Sequence, residues 1–277
     1  MKDVDVKINT NNRSVLIRKK ILDIIHNSNA SHIGSSFSVV EILSSVYQSV
    51  DLNKIKNWDN DRDRIIVSKG HSAAALYATM NNFGLMDNQT LNTYYKNGSL
   101  LGGHVTHNVK YIEHSTGALG HGLSVALGMA IGAKAKQLKS HVFVVLGDAE
   151  LHEGSNWEAF LLAGHLHIDN ITILIDYNQL GGIGLLQSCC SLDNLKTKLD
   201  AYSLETYEVD GHNEEEIYNV IQKSKLSETP VAIICHTVKG KGVSFMENNN
   251  VWHYRPPNKD EYTRALNELL GGPNNAE

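Results

Sequence analysis

A parallel α/β fold is predicted for this chain by three observations. Short apolar strands alternate with helical segments. The two clearest strands are about thirty residues apart. Polar residues gather just past the strands' carboxyl ends. The strands are RIIV (64–67), HVFVVLGD (141–148), ITILID (171–176) and TPVAIICHT (229–237). Runs this apolar suit strands buried on both faces, so the sheet is expected to be central and mostly parallel, with helices on both sides. In such sheets ligands bind beyond the carboxyl ends of the strands. Asp148, Asn178 and His236 fall there.

The helices follow from spacing and capping. VLIRKKILDIIHNS (15–28) places apolar residues at helical intervals. A second helix is expected from Ser38, because Ser38 to Glu41 has the form of a capping box. An alanine-rich helix is predicted from Ser72, just after Ser68-Lys69-Gly70-His71. GHGLSVALGMAIGAKAKQL (120–138) reads as a long buried helix whose small residues admit a close neighbour. NWEAFLLAGHL (156–166) is helical. There is no internal repeat, low-complexity linker or domain boundary, so residues 1–277 are expected to be one domain with a frayed GGPNNAE tail.

Composition narrows the function. Hydrophobic residues make up 42% and charged residues 20%, as in a globular protein. The net charge of -5 and the absence of a long basic stretch argue against nucleic-acid binding. Arg18-Lys19-Lys20 is short and reads as a solvated helix face. Three cysteines, Cys189, Cys190 and Cys235, give no disulfide framework, so a reducing cytoplasm is expected. The polar start MKDVDVKINTNNRS has no apolar signal core, and no membrane span is expected.

The offset from Asp148 to Asn178, 178 − 148 = 30 residues, is about one strand–helix–strand unit. It should bring a carboxylate and an amide oxygen to neighbouring strand ends. Oxygen donors of this kind suit Mg²⁺ shared with a phosphate, and a backbone carbonyl just beyond Asn178 would add a ligand. Gly-Asp and Tyr-Asn also favour turns with no metal at all. Gly181-Gly182-Ile183-Gly184 and Lys239-Gly240-Lys241-Gly242 lack P-loop spacing and read as flexible segments near the site.

Gly147-Asp148-Ala149-Glu150 followed by Asn178 resembles the thiamine-diphosphate signature, and the surroundings resemble transketolase. The matching stretches are SHIGSSFSVVEIL (31–43), DRDRIIVSKGHSAAALYA (61–78), GHVTHNVKYIEHSTGALGHGLSVALGMA (103–130) and HTVKGKGVSFMENNNVWH (236–253). The likeness implies a thiamine-diphosphate-binding fold, here its diphosphate-binding domain. It implies Mg²⁺ on Asp148, Asn178 and the Leu180 carbonyl. The diphosphate falls to His71, His253 and the Ala149 N–H, in the loop that opens with Gly147. Gly117 and Leu119 line the thiazolium pocket, and Glu153 and Glu158 lie near a subunit interface that links paired cofactor sites. His32, His71, His104 and His253 surround the substrate. Imidazoles suit that task because they donate, accept and titrate near neutral pH.

The resemblance covers only a transketolase's first part. The pyrimidine-binding domain, with its activating glutamate and sugar-phosphate grip, has no counterpart among these residues. An α2β2 assembly with a separate C-terminal transketolase subunit is therefore expected. The implied reaction moves a two-carbon ketol unit from a ketose, usually a phosphate, to an aldose. Other readings are a 2-oxo-acid dehydrogenase component, a deoxyxylulose-phosphate-synthase-like enzyme, or a scaffold that keeps the fold without catalysis. Ala149 stands where glycine is usual, Ser31 where glycine is common, and His121 where glutamine is usual. Tyr254 follows His253 where split transketolases usually have glycine, which suggests a reshaped cleft and a substrate outside the central-pathway pentose phosphates.

Overall fold

The computed structural model describes residues 10–271. The polar first residues and all but the first residue of the GGPNNAE tail lie outside that range. Five strands, β1 (Arg64–Val67), β2 (Val142–Gly147), β3 (Ile171–Tyr177), β4 (Glu205–Asp210) and β5 (Val231–His236), form one sheet in the order β1-β2-β3-β5-β4. Every adjacent pair is parallel.

Twelve helices are described. Seven precede β2 in the chain: α1 (Thr10–Ser28), α2 (Ile33–Ser38), α3 (Val40–Gln48), α4 (Leu52–Lys56), α5 (Ala73–Asn82), α6 (Asn88–Leu91) and α7 (Gly122–Ala135). Five follow it: α8 (Gly154–His165), α9 (Leu186–Cys189), α10 (Leu195–Ala201), α11 (Glu214–Ser224) and α12 (Lys259–Leu270).

The sheet divides the core in two. Phe143, Val145, Leu174 and Ile233 face a cluster built with α1, α3, α5 and α11. Val142, Val144, Ile173, Ile175 and Ile234 face the opposite cluster, with α7 and α8. Successive strand residues point to opposite faces, so a strand covered on both sides must be apolar at both parities. β4 escapes that demand. It is an edge strand whose ETYEVD sequence buries only Thr206 and Val209, which is why its apolar signal is faint.

Two expectations about local structure change. Ser38 caps nothing. It ends α2, and its hydroxyl donates to the Asp176 carboxylate at 2.6 Å. α3 begins at Val40 without a side-chain cap, and Glu41 instead receives both arms of Arg18, at 2.6 and 2.7 Å. Buried charge outranked capping at this position. Burial alone would push the Glu41 carboxyl up, but Arg18 and His212 hold it down at about 2. The helix predicted over 120–138 is shorter and is buried along one side only. Leu123, Ala126, Leu127 and Ala130 pack inward, while Ser124 and Gly128 face outward.

Candidate active site

Four loops that follow strand ends converge on one cavity of about 260 Å³. Lys69 and His71 come from beyond β1, Asp148, Ala149 and Glu150 from beyond β2, Asn178, Leu180, Gly181 and Gly182 from beyond β3, and Lys239 from beyond β5. The parallel register sets this up. Gly147 pairs with Asp176, so the residues just past them in β2 and β3 emerge side by side.

At one end, Asp148 is 2% exposed and faces Asn178 and Leu180 across the cavity wall. Its carboxylate accepts the N–H of Ala149 at 2.7 Å and the N–H of Gln179. Burial, then the neighbouring Asp176 carboxylate, pushes the Asp148 carboxyl up to about 6. Asp176 is fully buried and ion-paired with Lys69. Its hydrogen bonds with Ser38 and Thr237, and above all the Lys69 charge, hold its carboxyl below the ordinary range against burial. Lys239 Nζ donates to the carbonyls of Leu180 at 2.9 Å and Gly181 at 3.0 Å. Burial, then Lys69, lowers the Lys239 ammonium to about 8.

Four imidazoles crowd the other end. The His32 ring centroid lies 5.4 Å from His71, 5.8 Å from His104 and 4.9 Å from His253, and His71 lies 5.6 Å from His253. His32 caps α2 with φ 70, a left-handed conformation, and its N–H donates to the His253 carbonyl at 3.0 Å. That bond fixes the two segments against each other. Gly117, at φ 150, closes the wall. A Cβ there would press within 3.2 Å of His104, and a side chain would strain the backbone.

Burial holds three of these rings, His32, His71 and His253, neutral. It lowers His32 to about 4, assisted by His104 and Lys239, and His253 to about 3, assisted by Lys239. His71 is lowered well below its ordinary value, again chiefly by burial. Folded values below the unfolded one mean that stability is full above pH 6.5 and is lost as pH falls through the folded values. Between pH 7 and pH 5 the chain should lose about 1 kcal/mol for each such imidazole, discounted for solvent screening. Urea midpoints at the two pH values test this. A His32→Asn, His253→Asn double variant should show a flatter dependence; an equally steep one would refute the assignment.

The structure brings together His32, His71, His104, His253, Gly117, Leu119, Gly147, Asp148, Ala149, Asn178 and Leu180 around the cavity. Glu153 and Glu158 are exposed and stand outside its lining, as does His236, whose ring packs on Tyr177. Ala149 opens a 3₁₀ turn and has no positive φ, so alanine replaces glycine there without conformational cost. Its N–H is spent on the Asp148 carboxylate. The Tyr254 ring is 61% exposed and stands outside the lining.

Sequence reasoning missed Lys69, Lys239, Ser35 and Glu150, all on the cavity wall. Glu150 binds Ser68 and the N–H groups of Gly120 at 2.9 Å and Gly147 at 3.1 Å, tying three loops together. The signal was present for the lysines: each lies inside a quoted motif, SKGH or VKGKG.

The donor set fits a magnesium diphosphate. Among the described residues no three His, Cys, Asp or Glu side chains converge as a metal cage of their own. One carboxylate, one amide and one carbonyl leave positions that phosphate oxygens fill, which is how Mg²⁺ is commonly held. A buried carboxylate with a raised pKa gains from a cation, and two buried lysines gain from an anion.

Fold and cavity define a parallel α/β domain whose ligand site crosses the strand ends. The chain belongs to the transketolase family: the transketolase thiamine diphosphate binding domain matches residues 10–275. It is 40% identical, over 91% of its length and 93% of the relative's, to an apulose-4-phosphate transketolase subunit from Actinobacillus succinogenes. It is 32% identical, over 95% and 97%, to the 6-deoxy-6-sulfo-D-fructose transketolase subunit of a Clostridium species. Crystalline transketolase from Campylobacter jejuni superposes with a TM-score of 0.88 at 26% identity. That match covers 98% of this chain but 44% of the Campylobacter chain, so this protein spans under half of that enzyme.

Proposed function

We propose that the chain is the diphosphate-binding subunit of a two-subunit transketolase. It transfers a two-carbon ketol unit from a ketose, usually a phosphate, to an aldose. Residues 1–277 form its single diphosphate-binding domain. A C-terminal subunit supplies the pyrimidine-binding domain in an α2β2 assembly, working in the cytoplasm. The partner is supported by relatives of nearly the same length that are themselves named as transketolase subunits. Their substrate names, with that of the sulfofructose relative, favour a phosphorylated or sulfonated sugar outside the common pentose phosphates.

The observation that carries this reading is a single cavity lined by Asp148, Asn178 and Leu180 together with four imidazoles. Mg²⁺ would sit on the Asp148 carboxylate, the Asn178 amide oxygen and the Leu180 carbonyl. Lys69, Lys239 and His71 would face the diphosphate, with Gly117 and Leu119 against the thiazolium ring. When bound, thiamine diphosphate would supply the carbanion chemistry that the transfer needs. The chain's part is orientation and proton handling. Rings that stay neutral at pH 7 can each offer one N–H and one lone pair to sugar hydroxyls. His32 and His253, fixed by their shared backbone bond, would hold such hydroxyls, and His71 and His104 would take or return a proton at a ring nitrogen. Solvent is partly excluded, since His32 and His253 are partly buried.

Titration calorimetry of the chain with its partner tests the reading. Heat of thiamine diphosphate binding should be present with Mg²⁺ and absent after chelation. Metal-independent binding of equal strength would defeat the magnesium assignment, and no binding would defeat the reading itself.

A further inference from the structure

The turn after β3 is held from outside by two side chains that the catalytic reading does not use, Tyr254 and Asn250, and by Lys239, which it does. Gly182 presents its carbonyl to two donors, the Tyr254 hydroxyl at 2.8 Å and the Asn250 amide at 2.5 Å. Lys239 holds the two preceding carbonyls and the Asn250 oxygen, the last at 3.2 Å. Leu180 and Leu186 anchor the turn's two ends, but apolar anchoring of its tip is thin: Ile183 is 86% exposed and Leu185 58% exposed. Polar latches therefore set the position of the tip.

The same turn touches the imidazole cluster. A Cβ built on Gly182 would lie 3.1 Å from the Tyr254 hydroxyl and 3.6 Å from His253 Nε2. The Tyr254 ring packs on the His253 ring, with centroids 4.8 Å apart and planes at 64°. Tyr254 is 61% exposed, so it contributes little to the core, and its hydroxyl has found a backbone partner rather than water alone. Its own backbone is secured independently. Its N–H reaches the Val251 carbonyl at 3.2 Å, and the next residue, Arg255, forks onto Glu261 at 2.8 and 2.7 Å.

We propose that Tyr254 is a positioning residue whose hydroxyl latches the Gly181–Gly182 turn to His253, joining the metal end of the cavity to the substrate end. The latch is read from geometry alone; its consequence for cofactor binding rests on the function proposed above. Leu180, two residues before the latched carbonyl, presents the backbone oxygen assigned to the metal. The tyrosine would then act on how firmly the cofactor is held, through the turn, rather than by filling the cleft.

Tyr254→Phe tests this, since it keeps the ring on His253 and removes only the hydroxyl. Amide exchange of the ligand-free full chain should quicken about fivefold over residues 179–190, the scale of one lost hydrogen bond, with β2 and β3 unchanged. In the complex with its partner, the KM for thiamine diphosphate should rise about fivefold, with kcat at saturation unchanged. A purely structural role would not produce that split. Exchange in the turn equal to wild type would overturn the latch. Faster exchange with an unchanged KM would overturn its link to the cofactor. If the wild type bound no thiamine diphosphate, the site reading would fail, and the exchange comparison would still judge the latch.

Discussion

Replacing Asp148 with alanine should abolish magnesium-dependent binding of thiamine diphosphate, a loss of at least about 100-fold in affinity. The carboxylate is the one anionic oxygen donor proposed for the metal, and it is buried among groups that cannot substitute for it. Asp176, a neighbouring carboxylate, is already committed to Lys69, Ser38 and Thr237, and Glu150 to Ser68, Gly120 and Gly147. The ligand-free protein should respond differently. Burial and Asp176 raise the Asp148 carboxyl to about 6, above its unfolded value of 3.8. A raised carboxyl pKa means that stability falls as pH rises through the window from 3.8 to 6. At pH 7 the ionised group is therefore a strain on the folded chain. Asp148→Asn keeps the shape and removes that charge, so its ligand-free thermal midpoint at pH 7 should not fall below wild type. Unchanged affinity in Asp148→Ala would sink the metal assignment. A lowered midpoint in Asp148→Asn would show that the carboxylate is structural instead.

The residues that could be read from sequence are those whose neighbours in space are also fixed by the fold's period. Strand tips one strand–helix–strand unit apart must meet, so Asp148 and Asn178 were legible. The apolar strands were legible because both faces of the sheet are covered. The polar edge strand β4 was not, because at the sheet's edge it buries only Thr206 and Val209 and keeps its charged residues exposed. Four imidazoles from distant segments were placed by family likeness; periodicity alone brings none of them together. Ser38 and Glu41 misled because a capping pattern costs nothing to write in sequence. Their side chains were recruited by Asp176 and Arg18, whose proximity only the folded chain shows. Lys69 and Lys239 were passed over because a lysine reads as solvated by default, yet each is 1% exposed. Glu150 was hidden by its neighbour Asp148: in one motif, one carboxylate was assigned to the metal while the other fastens the loops.

The purified chain alone should give no ketol transfer, and mixing it with its C-terminal subunit should restore turnover in the ordinary enzyme range of roughly 1–10³ s⁻¹. On the proposed reading the cavity would serve one part of the coenzyme: oxygen donors and lysines for its diphosphate, imidazoles for the substrate at its reactive carbon. Nothing proposed on this chain activates the aminopyrimidine ring, so the carbanion would not form without a second domain. The surface is consistent with a missing neighbour. Leu161, Leu162 and Leu166, on and just beyond α8, are 58%, 44% and 44% exposed, and Ile183 and Leu185 stand open beside the cavity loop. Large apolar side chains gathered at exposed positions suit an interface better than solvent. α8 also carries Glu158 and follows directly on Glu153, the carboxylates that family likeness assigns to a subunit boundary. Size-exclusion chromatography of the mixture should give an α2β2 mass, and activity should rise in step with the fraction assembled. Turnover by the isolated chain at the rate of the mixture would end the two-subunit reading, while leaving the metal site to be judged by Asp148→Ala.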